Sequence, residues 1–224
     1  MQAVILAAGF GTRMGELTKT TPKPLLKIGN KTILEHNLEQ LPEEIEEVIL
    51  VTGYLGGQIK KAIGNNFAGK KITYVDQKEL KGTAHALYQS KDLIRGRFLV
   101  LMGDDLYHKR DLEKLIKYPL AILVWQLQNG ESGEDRHAIV KVDEAGELSD
   151  IVERQPAREG SLVNTAAYIL NQNYFNYPLV GAGIPAKEFG LPQTFLQMVR
   201  DGAKFAVVPA EKWHKVASPE DLKL

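Results

Sequence analysis

Residues 3–15 read AVILAAGFGTRMG: aliphatic side chains, several of them β-branched, give way to three glycines within seven residues, with one arginine among them. The apolar run of about eight residues falls well short of the roughly 20 that span a bilayer, and no basic stretch precedes it, so it reads as a buried β-strand. Leaving a strand through glycines lets backbone N–H groups approach an anion closely, and Arg13 adds a planar fork of donors. Downstream, Pro22-Lys23-Pro24 sets a lysine between two prolines, which predicts extended backbone and a fixed point charge. Phosphate is the ligand that suits these features, with Lys19 as a further candidate cation. The competing reading of the glycines alone is a tight surface turn with a solvated arginine. The proline-flanked lysine weighs against it.

Working outward, EEVILVTG (46–53), KITYVD (71–76) and RFLVLMGDD (97–105) repeat the character of AVILA (3–7). Their apolar runs are continuous enough for strands buried on both faces, as in parallel sheets. Between them, TILEHNLEQL (32–41) places Ile33, Asn37, Leu38 and Leu41 at helical spacing, and QIKKAIGNNF, TAHALYQSKDLI and KRDLEKLIKY behave similarly. The order βαβαβαβ predicts a doubly wound, three-layer α/β/α sandwich with right-handed crossovers. In the second half, LAILVWQLQ (120–128), HAIVKVDEAGELSDIVE (137–153) and LVNTAAYILN (162–171) read as strands, the middle one folded into a hairpin at DEAGE. Residues 172–202 read as helical material broken by Pro178, Pro185 and Pro192, and the remainder supplies one or two strands and a short terminal helix. No repeat, linker or low-complexity tract divides the chain, so residues 1–224 are expected to form one domain.

With 28 basic and 28 acidic side chains the formal charge is zero, which gives no support for broad nucleic-acid or membrane-surface binding; any basic site must be local. The lack of cysteine excludes disulfides, thiolate metal sites and cysteine nucleophiles, and fits a cytoplasmic chain. A metal would need oxygen or imidazole ligands. A dinucleotide-binding fingerprint requires glycine where Met14 stands and an acidic residue at the end of the second strand, and a Walker loop requires Gly-Lys-Ser/Thr; all are missing.

LAAGFGTRM, TPKPLLKIGNKTILEHNL, DQKELKGTAHAL and LVLMGDD, in this order and spacing, resemble the nucleotidyltransferases that make nucleoside-diphosphate sugars from a nucleoside triphosphate and a sugar 1-phosphate. The resemblance is close over residues 1–110 and looser over 135–222. It implies a Rossmann-like α/β/α sandwich with a mixed, mostly parallel central sheet, a nucleotide-binding half (1–110) and a sugar-binding half (111–224). The left-handed β-helix acyltransferase that some members append is not expected. The family's roles transfer position by position. Leu6, Ala7, Ala8 and Gly9 would form a ledge under base and ribose. Gly11, Thr12 and Arg13 would wrap the triphosphate, with Arg13 stabilising departing pyrophosphate, and Lys23 would bridge the reacting phosphates. Gln77, Gly82 and Thr83 would read a pyrimidine, and Asp104 would hold magnesium. On the acceptor side, Glu153 and Asn164 would hold sugar hydroxyls, with Tyr168 lining the pocket. The residues alone also allow an exposed strand-end glutamine at 77, a helix N-cap at Asp104 and simple strand alternation at Tyr168.

The chain departs from the family where Trp-x-Asp-x-Gly is usual: it reads WHKVA, with Lys215 at the second metal carboxylate and Ala217 at the glycine. A lysine held about 5 Å from a divalent ion is repelled by roughly 7 kcal/mol at an effective dielectric near 20. Lys215 therefore either turns to a phosphate as a fixed cation, points to solvent while Asp104 and the phosphates hold the metal, or marks a protein that binds nucleotide without turnover. His214, on the opposite strand face, reads as a packing or surface histidine. Ala138 and Ala166 stand at usual glycine positions, and Arg154 is a candidate substitute for a phosphate-binding lysine.

The expected activity is magnesium-dependent transfer from UTP, with dTTP second, to a sugar 1-phosphate. The base preference rests on the likeness of QKELKGTAHAL to uridylyl enzymes. Two rivals are a cytidylyltransferase acting on a non-sugar phosphate, motivated by Ala138 and Ala166, and a catalytically silent nucleotide-sugar-binding regulator, motivated by Lys215. The expected partners are the two substrates, with a homo-oligomer allowed and neither nucleic acid nor membrane.

Overall fold

The computed structural model describes residues 1–128, 136–183 and 187–223. Strand β1 (Gln2–Ala7) is buried along its whole length and lies at the centre of a ten-stranded mixed sheet. It pairs in parallel with β2 (Glu47–Thr52) on one side and β5 (Arg97–Met102) on the other, with Ala3 between Val48 and Leu99. Beyond β2 come β4 (Lys70–Asp76), parallel, and the short antiparallel β3 (Asn66–Phe67). The continuous apolar runs have a simple cause. Val4, Leu6, Ile49, Val51, Phe98 and Val100 enter one core cluster, while Ala3, Ile5, Val48, Leu50, Leu99 and Leu101 enter another on the opposite face. Alternate side chains meet different layers, and both layers are apolar.

Helices α2 (Ile33–Gln40), α3 (Gly56–Ile63) and α5 (Lys109–Leu115) contribute Leu34, Leu38, Ile59, Ile63, Leu112 and Leu115 to the second cluster. Helices α4 (Thr83–Tyr88) and α6 (Leu191–Arg200) contribute Ala86, Leu87, Leu191, Phe195 and Leu196 to the first. The result is the expected three layers. A four-residue helix, α1 (Leu17–Thr20), lies in the loop after β1. Helix α2 starts at a capping box in which Thr32 Oγ1 accepts from Glu35 N–H and Thr32 N–H donates to Glu35. The Thr32 backbone bond holds the Glu35 carboxyl below its usual value.

The second half extends the sheet with antiparallel strands. Strands β7 (Arg136–Val142) and β8 (Leu148–Pro156) form the hairpin anticipated at DEAGE, closed by Gly146 N–H donating to Asp143 O. Strand β9 (Leu162–Asn171) changes neighbours along its length. Residues 168–171 pair with β5, whereas Val163 pairs with Ile139 of β7, and β6 (Ala121–Gln126) runs along its other flank. The change falls at a register shift between Asn164 and Tyr168, where Ala166 has φ 59°. Strand β10 (Ala206–Pro209) joins β6 in parallel.

Two details differ from the sequence expectation. Pro192 lies in the first turn of α6, where its missing N–H costs nothing, so it opens that helix and does not break it. Lys23 begins a tight turn, with Leu26 N–H donating to Lys23 O, so only Pro22 before it is extended. Pro185 lies outside the described residues.

Candidate active site

The carboxyl ends of β5, β1, β2 and β4 share one edge of the sheet, and the loops that leave them enclose a cavity of about 380 Å³. Its lining includes Leu6, Ala7, Ala8, Gly9, Gly11 and Thr12 from the β1 loop, Lys23, Gln77 with Gly82 and Thr83, and Asp104. An adjoining cavity of about 180 Å³ is lined by Gly11, Thr12, Arg13, Lys23 and Asp104. Every residue expected to bind the nucleotide, together with Arg13, Lys23 and Asp104, is thus brought to one edge. Lys19 is not: it is exposed and paired with Glu16.

Glycine is required at two positions here. Gly11 has φ 64°, and a Cβ on it would sit 2.9 Å from Lys23 Cβ, so the glycine loop can lie against the lysine only without a side chain. Gly82 has φ 92°, and a Cβ there would fall 2.4 Å from Phe189 O. The segment before α6 presses on this glycine, fastened by Phe189 N–H to Lys81 O at 2.7 Å and Leu191 N–H to Thr83 Oγ1 at 3.0 Å.

Lys23 is 4% exposed, and its Nζ donates to Asp104 Oδ2 at 2.7 Å. Lys23 and Asp104 thus form a cation–carboxylate pair in which each satisfies the other. Asp104 is no helix N-cap; His108 precedes α5. Beside it, Asp105 turns inward, accepting from Val216 N–H at 3.1 Å. Burial first, then the neighbouring Asp104 charge, pushes the Asp105 carboxyl up to about 7 against the pull of Lys23 and Lys215. The acidic turn is held from below by Asn37 of α2, fully buried, whose Nδ2 donates to Asp105 O at 2.7 Å and whose Oδ1 accepts from Tyr107 N–H at 3.3 Å. Asn37 was legible only as a polar residue on an apolar helix face.

Gln77 is not the exposed strand-end residue that sequence allowed. It is 4% exposed, and its Nε2 donates to Gly82 O at 3.1 Å and meets His85 Nδ1 at 3.0 Å. A carbonyl only accepts, so the amide orientation is set and Oε1 is the atom left for a ligand. His85, which no motif pointed out, holds that orientation.

The expected acceptor-side residues lie apart from this cavity lining. Asn164 and Tyr168 bond to each other, with Asn164 Nδ2 to Tyr168 Oη at 2.8 Å, and burial raises the Tyr168 hydroxyl above its ordinary value. Glu153 is exposed and accepts from Gln193 Nε2 at 3.3 Å, a contact between β8 and the first turn of α6 that sequence did not suggest. Arg154 is exposed with φ 55°, in the irregular part of the β7–β8 pairing. Lys215 is half-buried and continues the short antiparallel pairing of Trp213 with Tyr107 and His214 with Leu106, which sets it near Asp105. It does not appear in the lining of either cavity. His214 is the packing histidine expected, its Nε2 2.9 Å from Asp221 O.

Among the described residues there is no cluster of three or more His, Cys, Asp or Glu that would hold a metal by protein ligands alone. Asp104, with a side chain 38% exposed, offers one carboxylate at the cavity wall. That donor set suits magnesium, which commonly takes one or two carboxylates and completes its shell with substrate phosphates and water. No described helix is long and apolar enough to cross a membrane.

Residues 2–222 match the sequence family described as nucleotidyl transferase. The bifunctional protein GlmU of Methanococcus maripaludis is 28% identical over 99% of this chain, which spans 53% of that protein, so the chain covers about half its length. The UTP–glucose-1-phosphate uridylyltransferase AglF of Haloferax volcanii is 29% identical over 99% of this chain and 93% of its own. A solved Bacillus anthracis structure, described as a glucose-1-phosphate thymidylyltransferase, superposes with a TM-score of 0.83 over 99% of this chain and 92% of that one, at 20% identity. With residues 2–222 matched and the glycine loop, the buried lysine, the acidic turn and the Gln77 amide lining one cavity, the chain belongs to the nucleotidyl transferase family.

Proposed function

We propose that this protein transfers a nucleotidyl group from UTP, with dTTP second, to a sugar 1-phosphate, releasing pyrophosphate. The observation that carries the reading is one cavity lining that holds both the Lys23–Asp104 pair, 2.7 Å apart, and the fixed Gln77 amide. Uracil and thymine each present one N–H on the pairing edge, which the free Oε1 of Gln77 suits. The likeness to AglF over nearly the whole of both chains supports the same donor and a sugar acceptor.

In the reaction, an oxygen of the sugar phosphate attacks the α-phosphorus, the bond from that phosphorus to the bridging β-oxygen breaks, and pyrophosphate leaves with the electron pair. Anion must attack anion, so catalysis consists of alignment and charge neutralisation. Lys23 exchanges its bond to Asp104 for one to the phosphates, and Arg13 faces the departing pyrophosphate. Each such cation about 4 Å from a phosphate oxygen contributes roughly 4 kcal/mol at an effective dielectric near 20. Magnesium, when bound, adds further charge neutralisation, and Asp104 is the residue that would hold it. Lys215 serves as a fixed cation on the acidic turn, where other members are expected to have a carboxylate. Glu153 and Asn164 hold the acceptor sugar, with Arg154 toward its phosphate, in the half formed by residues 111–224, and the buried Tyr168 supports Asn164 from behind. The setting is cytoplasmic.

The test is pyrophosphate release with magnesium across UTP, dTTP, CTP, GTP and ATP, each against a panel of sugar 1-phosphates. Turnover with UTP is expected. Turnover only with CTP and a non-sugar phosphate would replace the reading, and nucleotide binding without release from any pair would make the protein a regulator.

A further inference from the structure

Glu188 is an acidic residue in the lining of a cavity built for a polyanion. It lies in a two-residue strand paired with Ala182, and its position is set by backbone contacts: Phe189 N–H to Lys81 O, Gly190 N–H to Val180 O at 2.9 Å, and Leu191 N–H to Thr83 Oγ1. A Cβ on Gly82 would sit 2.9 Å from Glu188 Cβ, so the side chain starts from directly above the glycine that adjoins the Gln77 amide. Among the described residues its carboxylate has no hydrogen-bond or ion-pair partner. The residue is exposed at the rim.

From these contacts we infer that Glu188 accepts hydrogen bonds from the ribose hydroxyls of the bound nucleotide and so selects a ribonucleoside triphosphate over its 2′-deoxy counterpart. The inference rests on Gln77 as the base-reading group. A carboxylate only accepts, and it repels oxygen atoms that carry negative charge. The triphosphate belongs with Arg13 and Lys23, which line the adjoining cavity where Glu188 is not found. The one N–H on the uracil edge goes to Gln77 Oε1, and the atoms flanking it are carbonyl oxygens, which Glu188 would repel. The 2′- and 3′-hydroxyls are the donors left on the nucleotide, and covalently they lie between base and phosphates. Acidic side chains hold ribose hydroxyls in dinucleotide-binding sheets through the same chemistry. The reading resolves the choice between UTP and dTTP in favour of UTP.

The experiment is calorimetric titration of the magnesium-loaded protein with UTP and with dUTP, which share a base, for the wild type, Glu188→Ala and Glu188→Gln. The backbone fastens this segment and the side chain is exposed, so both variants keep the fold. Wild type is expected to bind UTP roughly tenfold or more tightly than dUTP, the range of a charge-assisted hydrogen bond. Glu188→Ala should weaken UTP by a similar factor and bring the two nucleotides level, with Glu188→Gln in between and the KM for sugar 1-phosphate unchanged. Equal affinities in the wild type, or an unchanged ratio in Glu188→Ala, would overturn the inference. So would a Glu188→Ala effect confined to the sugar 1-phosphate KM, which would turn the carboxylate toward the acceptor. Those outcomes leave the transferase reading standing; failure to bind any nucleoside triphosphate removes both.

Discussion

Arg13 is exposed on the glycine loop, while Lys23 is buried against Asp104, so the two cations should respond differently to removal. Arg13→Ala touches no packing and, on the proposed role of Arg13 toward departing pyrophosphate, is expected to lower kcat by roughly a hundredfold with the melting temperature unchanged. Unchanged kcat would exclude Arg13 from the reaction. Asp105 carries a pH dependence of its own. The unfolded carboxyl titrates near 3.9, whereas the folded one is pushed up to about 7, so the native state keeps a proton that the unfolded chain releases. Stability therefore falls as pH rises from about 4 to about 7, by up to roughly 4 kcal/mol from this group. Asp105→Asn retains an oxygen for Val216 N–H and should flatten the slope, read from urea unfolding of metal-free protein at pH 5 and pH 8. An unaltered slope would assign that titration to another group. At this scale Arg13 and Lys23 were legible because phosphate chemistry restricts their types, and Asp104 only through the family resemblance. Asp105, His85 and Glu188 were not, because their roles arise from partners 111, 8 and 106 positions away in the chain or from burial that no local pattern encodes.

The segment before α6 and the kink in β9 lead to opposite predictions about glycine. Gly82→Ala combines a left-handed backbone with a Cβ 2.4 Å from Phe189 O, so the segment must lift off the cavity rim. A cost of about 2 kcal/mol or more is expected, with a raised KM for UTP. Retained stability and KM would mean that the rim adapts freely. Ala166 adopts φ 59° where a side chain is unwelcome, and Ala166→Gly should stabilise by about 0.5–1 kcal/mol in chemical denaturation, the relief of strain exceeding the added freedom of the unfolded chain. Destabilisation would show that the methyl packing against the core matters more. The strands and main helices were readable because burial on both faces leaves long apolar runs and helices leave a period near 3.6. The bulge at Ala166 and the two-residue strands were not, since neither follows from composition, and Pro192 was misjudged because a proline looks the same whether it opens a helix or breaks one.

For the molecule as a whole, nucleotide binding to the native state alone should raise stability by about 2.7 kcal/mol at a hundred times the dissociation constant. Thermal unfolding with and without magnesium–UTP should show that gain, and Lys23→Met should lose most of it; an equal shift in the variant would remove Lys23 from the phosphate site. The layer architecture was predictable from the alternation of segments, but the way the two halves join was not. That join is β9, one continuous ribbon whose end at 168–171 is hydrogen-bonded to β5 of the first half while Val163 is bonded to β7 of the second. A seam of this kind ties the two halves together by main-chain hydrogen bonds. Any opening of the cavity is expected to come from its small rim pieces, and amides of Tyr168–Asn171 should exchange with solvent as slowly as those of β1, whether or not the cavity is filled.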